Sequence, residues 1–330
     1  VRVIVTGGAG FIGSHLVERL LGGGHEVACL DNFDAYYDPG LKRENLLPAL
    51  ASPRFRLVEG DIRDAGALEQ ALATGGEALV HLAARPGVRP SLEQPEVYAR
   101  INVEGTISVL EGARRHGIRR VVFASSSSVY GRSPDIPFRE DGSRLLPASP
   151  YGASKLAAEH FCEVFHHLSR VPVTCLRFFT VYGPRQRPDM AVHRFTRLIE
   201  DGIPIPVYGD GTMRRDYTYV DDVVDGIVRA IDRADGYSVY NLGNAETVTL
   251  AELVAALERA LGKSAAIEHR PPPPGDVPVT CASIERSAAQ LGYAPRVKIE
   301  EGVRRFVEWF RARRAAAHRP NPEPAGAGEV

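Results

Sequence analysis

The sequence predicts an α/β protein: a doubly wound parallel sheet carrying a smaller, loop-rich C-terminal domain. Three observations point there. Short apolar runs alternate with helix-period segments through the first half of the chain. The runs are apolar along nearly their whole length, as strands covered by helices on both faces are. The first of them ends in a glycine-rich turn that opens an amphipathic segment.

In order, the expected strands are VRVIVTG, HEVACLD, FRLVEGD, EALVHLAA, RRVVFASS and VPVTCLRFF. Helix periodicity covers residues 11–21 and 97–116, among others. Beyond residue 180 the alternation loosens, and GIPIPVYGDGT and RPPPPGD bring turn chemistry. A sheet domain over 1–179 is therefore expected, with 217–240 returning to it, and a second domain over 180–216 and 241–315. Val303, Phe306, Val307 and Phe310 in EEGVRRFVEWFRARR recur at helix spacing and read as a packing face. Residues 316–330, rich in Pro, Gly and Ala, cannot bury a face and read as a disordered tail.

Composition narrows the function classes. Forty basic against forty-one acidic residues in 330 leave a net charge of -1, without the basic excess of a nucleic-acid or anionic-membrane binder. Cys29, Cys162, Cys175 and Cys281 are scattered without a CxxC, and the ten histidines form no ligand cluster, so neither metal nor disulfide framework is expected. VRVIVTGG is strand rather than a charged leader, and no apolar run reaches membrane-spanning length; the expectation is a soluble, cytoplasmic protein acting on a small molecule.

The turn TGGAGFIG carries Gly8, Gly10 and Gly13 in G-x-G-x-x-G spacing, with Gly7 giving a second frame. Side-chain-free positions let the backbone approach a pyrophosphate at a helix N-terminus. The next strand ends in Asp31, eighteen residues after Gly13, where a carboxylate can accept from both ribose hydroxyls. An acid there repels a 2'-phosphate, so the dinucleotide expected in this Rossmann turn is NAD rather than NADP. Asp61 either frames the adenine or ends a strand. Downstream, SPYGASK places Tyr151 and Lys155 one helical turn apart. A phenol of pKa roughly 10 is a poor base near neutrality unless a nearby cation stabilises its phenolate. Immediately upstream an apolar strand ends in four hydroxyls, Ser125 to Ser128.

TGGAGFIG, HLAA, SSSSVYG, YGASK and RRDYTYVDDVV together resemble the extended short-chain dehydrogenase/reductase family over most of residues 1–315. The resemblance implies a catalytic triad of Ser126, Tyr151 and Lys155. It also implies an NAD site built from Gly7, Gly10, Phe11, Ile12, Gly13, Asp31, Asn32, Asp61, Ile62, Leu82, Ala83 and Ala84 besides Tyr151 and Lys155. Members that dehydrate or decarboxylate nucleotide sugars carry an acid beside VYG, where this chain has Ser127 and Ser128. That pattern favours simple hydride withdrawal and return, as in an epimerase.

LRFFTVYGPRQRPDMAVHRF and LDNFDAYYDPGLKREN are similar to the UDP-glucuronate 4-epimerases within that family. The similarity implies UDP-glucuronate as substrate, gripped at its carboxylate by Ser127, Ser128, Thr180 and Arg187; the competing reading makes Arg185 and Arg187 a solvated basic loop. Oxidation at C4 of a glucuronate creates a β-keto acid, so an epimerase must hold the carboxylate out of alignment with the carbonyl. Arg215 is implied at the pyrophosphate and Asp276 at the uridine ribose, against an ion pair and a stiffened loop. A homodimer joined through residues 97–116 and 151–170 is implied as well. The alternatives are a 4-epimerase of UDP-glucose or UDP-N-acetylglucosamine, a UDP-glucuronate decarboxylase, and a non-catalytic NAD-binding sensor.

Overall fold

A computed structural model describes residues 1–271 and 277–317. Seven strands form the central sheet: β1 (Arg2–Thr6), β2 (Glu26–Asp31), β3 (Phe55–Glu59), β4 (Ala78–His81), β5 (Arg120–Ser126), β6 (Val173–Phe178) and β7 (Tyr237–Leu242). Their order is β7-β6-β5-β4-β1-β2-β3, and every neighbouring pair is parallel. The strand order reverses between β1 and β4, which opens a crevice at the carboxyl ends of the strands.

The apolar runs are continuous because both faces are buried. Val3 and Val5 of β1, Val122 of β5 and Leu176 of β6 belong to one core, whereas Ile4, Val121, Phe123 and Cys175 belong to the other. Alternation along each strand thus feeds two cores at once.

The structure adds β7, which the sequence reading did not list as a strand. Its first three residues are only half-buried at the sheet edge, so YSVYNL lacks the unbroken apolar signature of the interior strands. The helix expected over 97–116 is also less regular. It comprises Pro95–Tyr98, a widened π-helical stretch Ala99–Glu104 and Gly105–Arg115. The widened stretch presents Asn102, whose side chain accepts from Arg85 N (2.7 Å) and donates to Arg85 O (3.0 Å) and Ser154 Oγ (3.0 Å).

Beyond residue 180 the chain is more helical than the turn-rich sequence suggested. Helix Leu250–Leu261 packs between Ala191–Glu200 and Ile299–Ala317, and Ala191–Glu200 also meets strand Ile205–Tyr208, which pairs with Ile267–Arg270. Leu250–Leu261 is bounded by a capping box of Thr249 and Glu252 and by Gly262 in the left-handed region, φ 66°. Val303, Phe306 and Val307 of the last helix are buried, as their spacing predicts. Asp276 and residues 318–330 lie outside the described residues. Among the described residues, no helix is long and apolar enough to cross a membrane and no His/Cys/Asp/Glu group is arranged to hold a metal ion.

Candidate active site

Two adjoining clefts lie over the carboxyl ends of the strands. The first is floored by the glycine turn. Gly7 sits at φ 74°, and a Cβ there would lie 2.6 Å from Ala83 N; a Cβ at Gly13 would lie 2.2 Å from Gly7 O. These two glycines let the turn after β1, the loop after β4 and the helix Phe11–Gly22 meet at backbone distance. Asp31, 8% exposed, accepts from Ala9 N (3.0 Å) and Phe33 N (2.9 Å) through its two oxygens. Burial nevertheless pushes its carboxyl above the usual range. Asn32 donates to Asp61 (2.9 Å), whose carboxylate also takes a bidentate pair from Arg63 (both 2.8 Å) that holds its pKa down to about 2.

Gly7, Gly10, Phe11, Ile12, Gly13, Asp31, Asn32, Asp61, Ile62, Leu82, Ala83, Ala84, Tyr151 and Lys155 all line this cleft. Sequence reasoning missed Tyr36, Tyr37, Lys42 and Arg85, which line it too. Lys42 donates to Asp34 O (2.7 Å), and the Tyr37 hydroxyl is buried without a partner. A cradle that any Cβ would fill, a carboxylate at the end of β2 and an orphaned hydroxyl in the wall together fit a dinucleotide with a free 2'-hydroxyl.

The second cleft, about 580 Å³, is lined by Ser127, Ser128, Thr180 and Arg215 together with Phe138, Arg194, Tyr208 and Tyr217. Arg215 donates to Arg214 O (2.9 Å) and Pro278 O (3.3 Å). Tyr36 lines both clefts and marks their junction.

The Ser126, Tyr151 and Lys155 group stands beside that junction. Ser126 ends β5 in extended backbone, and its Oγ accepts from Ser128 N (3.1 Å), turning the serine run into a short helical turn. Tyr151 opens the helix Pro150–Ser169, whose cap Ser149 accepts from Gly152 N (3.1 Å). A Cβ at Gly152 would lie 2.5 Å from Ser128 O, so only glycine lets this helix come so close to the serine run. Burial raises the Tyr151 pKa, while a hydrogen bond with Ser126 and the Arg187 charge oppose the rise. Lys155 is buried, donates to Ala124 O (2.7 Å) and lies 5.0 Å from the Phe123 ring centre; burial brings its pKa down to about 8. Arg187 is a cation acting on the phenol that the four-residue spacing did not suggest.

Arg187 lines the first cleft rather than the second. Its fork is already engaged by Asp189, Nε to Oδ1 at 3.0 Å and Nη2 to Oδ2 at 2.8 Å, with the side chain 18% exposed. Arg185 pairs with Glu18 at 2.7 Å. Neither belongs to a solvated basic loop. Ser125 also lines the first cleft, and its hydroxyl donates to Glu159.

A parallel sheet whose first turn cradles a dinucleotide, with Ser, Tyr and Lys side by side at its rim, defines an NAD-dependent enzyme of the extended short-chain dehydrogenase/reductase type. Within that class the chain belongs to the NAD dependent epimerase/dehydratase family, which matches residues 3–243. It is 41% identical over 309 residues to the UDP-glucuronate 4-epimerase of Thermodesulfobacterium geofontis, covering 93% of this chain and 95% of that one. Among solved structures it is similar to the UDP-glucuronic acid 4-epimerase of Bacillus cereus in complex with UDP-glucuronic acid and NAD, with 35% identity, a TM-score of 0.90 and coverage of 94% and 99%. The UDP-glucose 4-epimerase of Thermotoga maritima with UDP-glucose is also similar, with 33% identity, a TM-score of 0.88 and coverage of 95% and 99%.

Proposed function

We propose that this protein is an NAD-dependent 4-epimerase that interconverts UDP-glucuronate and UDP-galacturonate through a 4-keto intermediate. The observation that carries the reading is the hydroxyl cradle. Ser127, Ser128 and Thr180 line the sugar cleft next to Tyr151, and the serine run offers no carboxylate to drive an elimination. The relative named above with the same activity supports it.

The glycine turn and Asp31 would hold NAD, which supplies reversible acceptance of the C4 hydride. Tyr151 takes the proton of the C4 hydroxyl as that hydride leaves and gives it back when the hydride returns to the opposite face. Ser126 hydrogen-bonds the reacting oxygen, the Arg187 charge favours the phenolate, and we assign the same role to Lys155, one helical turn from Tyr151. The sugar carboxylate is held by Ser127, Ser128 and Thr180. Hydrogen bonds there keep its charge localised and the C–C bond to it away from the plane that would release carbon dioxide. Since Asp189 already engages the Arg187 fork, we assign Arg187 to electrostatic support of the junction between the clefts. Arg215 is assigned to the substrate pyrophosphate.

UDP-glucuronate deuterated at C4 tests this scheme: the label stays at C4 in the product. Loss of the label to solvent contradicts it. The similarity to the Thermotoga maritima enzyme favours one other reading, a neutral UDP-hexose as substrate. It predicts a higher kcat/KM for UDP-glucose than for UDP-glucuronate.

We also assign a homodimer. Phe161, Val164 and Leu168 are 42%, 53% and 76% exposed along one side of Pro150–Ser169, beside Ile107 and Leu110 of Gly105–Arg115. A second copy laid across the two helices would cover this apolar strip. Sedimentation equilibrium of wild type and Leu168→Glu tests it: a dimer and a monomer are expected, and a wild-type monomer contradicts the assignment.

A further inference from the structure

Directly beneath the Ser126, Tyr151 and Lys155 group lies a buried ion pair that the mechanism above does not use. Glu159 stands one helical turn after Lys155, and Arg177 is the residue of β6 that pairs in register with Ser125. The two side chains are 4% and 3% exposed. Arg177 Nε donates to Glu159 Oε1 at 2.9 Å and Nη2 to Oε2 at 2.7 Å, and Ser125 donates to the same carboxylate. Arg177 Nη1 donates to the Tyr130 hydroxyl (2.9 Å), which in turn donates a hydrogen bond to Asn241 Oδ1 on β7 (2.8 Å). Main-chain Glu159 O accepts from the Tyr237 hydroxyl (3.3 Å).

The network therefore joins the strand that carries Ser126, the helix that carries Tyr151 and Lys155, and both strands on the far side. Placing a charged pair in such a core costs desolvation free energy, and an apolar pair would hold these elements together as well. Fold stability alone thus gives a weak reason for it. Lys155 supplies a better one. Its ammonium is buried against Phe123, and its hydrogen bond goes to a neutral carbonyl. The groups whose charges bear on it are Cys162 and Glu159 from its own helix, Cys175 from β6 and His81 from β4, with Arg177 held on the far side of Glu159. Burial holds His81 neutral, with a pKa of about 3, and pushes the Cys175 thiol well up. Glu159 is the carboxylate in that set, and its Coulomb field favours the charged lysine.

We infer that Glu159 is a positioning residue for the epimerase reaction: it keeps Lys155 protonated, while Arg177 fixes the carboxylate and limits how much of its charge Lys155 receives. The inference rests on the epimerase reading. It goes beyond that reading because it assigns a role to two residues that touch neither substrate nor cofactor. The two partners then act on Lys155 with opposite signs. Removing the Glu159 charge leaves the Arg177 cation uncompensated near the lysine, and removing Arg177 frees the carboxylate.

The test is the pH profile of kcat on the NAD-loaded enzyme from about pH 6 to about pH 9.5; because Lys155 titrates below Tyr151, loss of the Lys155 proton sets the lower limb of that profile. Glu159→Gln should lower that limb by about one pH unit, which from a starting value of about 8 is a loss of about fivefold at pH 8, with KM changed less than about threefold. Arg177→Met should raise the limb, and the double variant should return it to within about half a unit of wild type. Each single variant decides alone, because the expected displacements are opposite. If both misfold, Glu159→Asp, which keeps the pair but draws the charge back from Lys155, should lower the limb by a few tenths of a unit. Limbs that stay in place or move together in the single variants overturn the inference, as does an unmoved limb in Glu159→Asp where that variant decides. A wild-type enzyme that does not epimerise UDP-glucuronate overturns instead the reading beneath it.

Discussion

Two glycines of one turn should fail in different ways. An ideal Cβ at Gly13 lies 2.2 Å from Gly7 O and 2.8 Å from Gly8 Cα, both backbone atoms at the floor of the turn. Ordinary contact needs about 3.4 Å or more, so Gly13→Ala must push the Gly7 carbonyl away by about 1 Å. Overpacking of this kind costs about 1–3 kcal/mol. For a chain of this size that is a fall in Tm of about 1–4 °C. Gly10 differs: its φ of -70° suits any residue, and its Cβ would meet only Gly7 O, at 3.3 Å. It also lines the cleft, so the added methyl would stand where the dinucleotide must approach. Gly10→Ala should therefore unfold within about 0.5 °C of wild type without cofactor, yet lose NAD affinity by at least about tenfold. Differential scanning calorimetry with and without NAD, and the NAD content of the purified proteins, separate the two. Equal loss of apo stability in the two variants, or a Gly10→Ala protein that keeps its NAD, would refute the reasoning.

The remaining predictions concern the chemistry. Tyr151→Phe should lower kcat by about 10²–10⁴-fold while NAD stays bound, and a smaller loss would mean that another group takes the proton. The Arg187 charge lowers the Tyr151 pKa. Arg187→Gln should therefore move the upper limb of kcat, which Tyr151 sets, to higher pH, and Asp189→Asn, which removes the counter-charge from that guanidinium, should move it lower. Limbs that shift in the same direction in both variants would contradict the assignment. Thr180→Val removes one hydroxyl from the cradle and should lower kcat/KM for UDP-glucuronate by about 10–100-fold, the worth of a hydrogen bond to a charged group. A UDP-pentose by-product should appear in that variant, and clean epimer at the wild-type rate would remove Thr180 from the grip.

What could be read from the chain was local. The glycine turn, Asp31 after the next strand, and Tyr151 one turn from Lys155 each depend on spacing along a single segment. The longest apolar runs became interior strands for the same reason: burial on both faces writes an unbroken pattern. What stayed hidden depended on register and on loops meeting in space. The Ser125, Glu159 and Arg177 contact requires β5 and β6 to pair with Ser125 opposite Arg177, which no periodicity encodes. Tyr36 and Arg85 reach the clefts from separate loops and meet only there, ring to guanidinium at 4.7 Å. Arg187 was noticed for its chemistry, but its partner Asp189, two residues on, decides how much of its fork a substrate could use.

The central claim is that this site removes and returns a hydride at C4 of a uronic acid while holding its carboxylate intact. Following purified protein and UDP-glucuronate by NMR, without added NAD, tests it most directly. The account predicts UDP-galacturonate as the sole product, approached from either epimer. A UDP-pentose, or turnover of UDP-glucose alone, would contradict it.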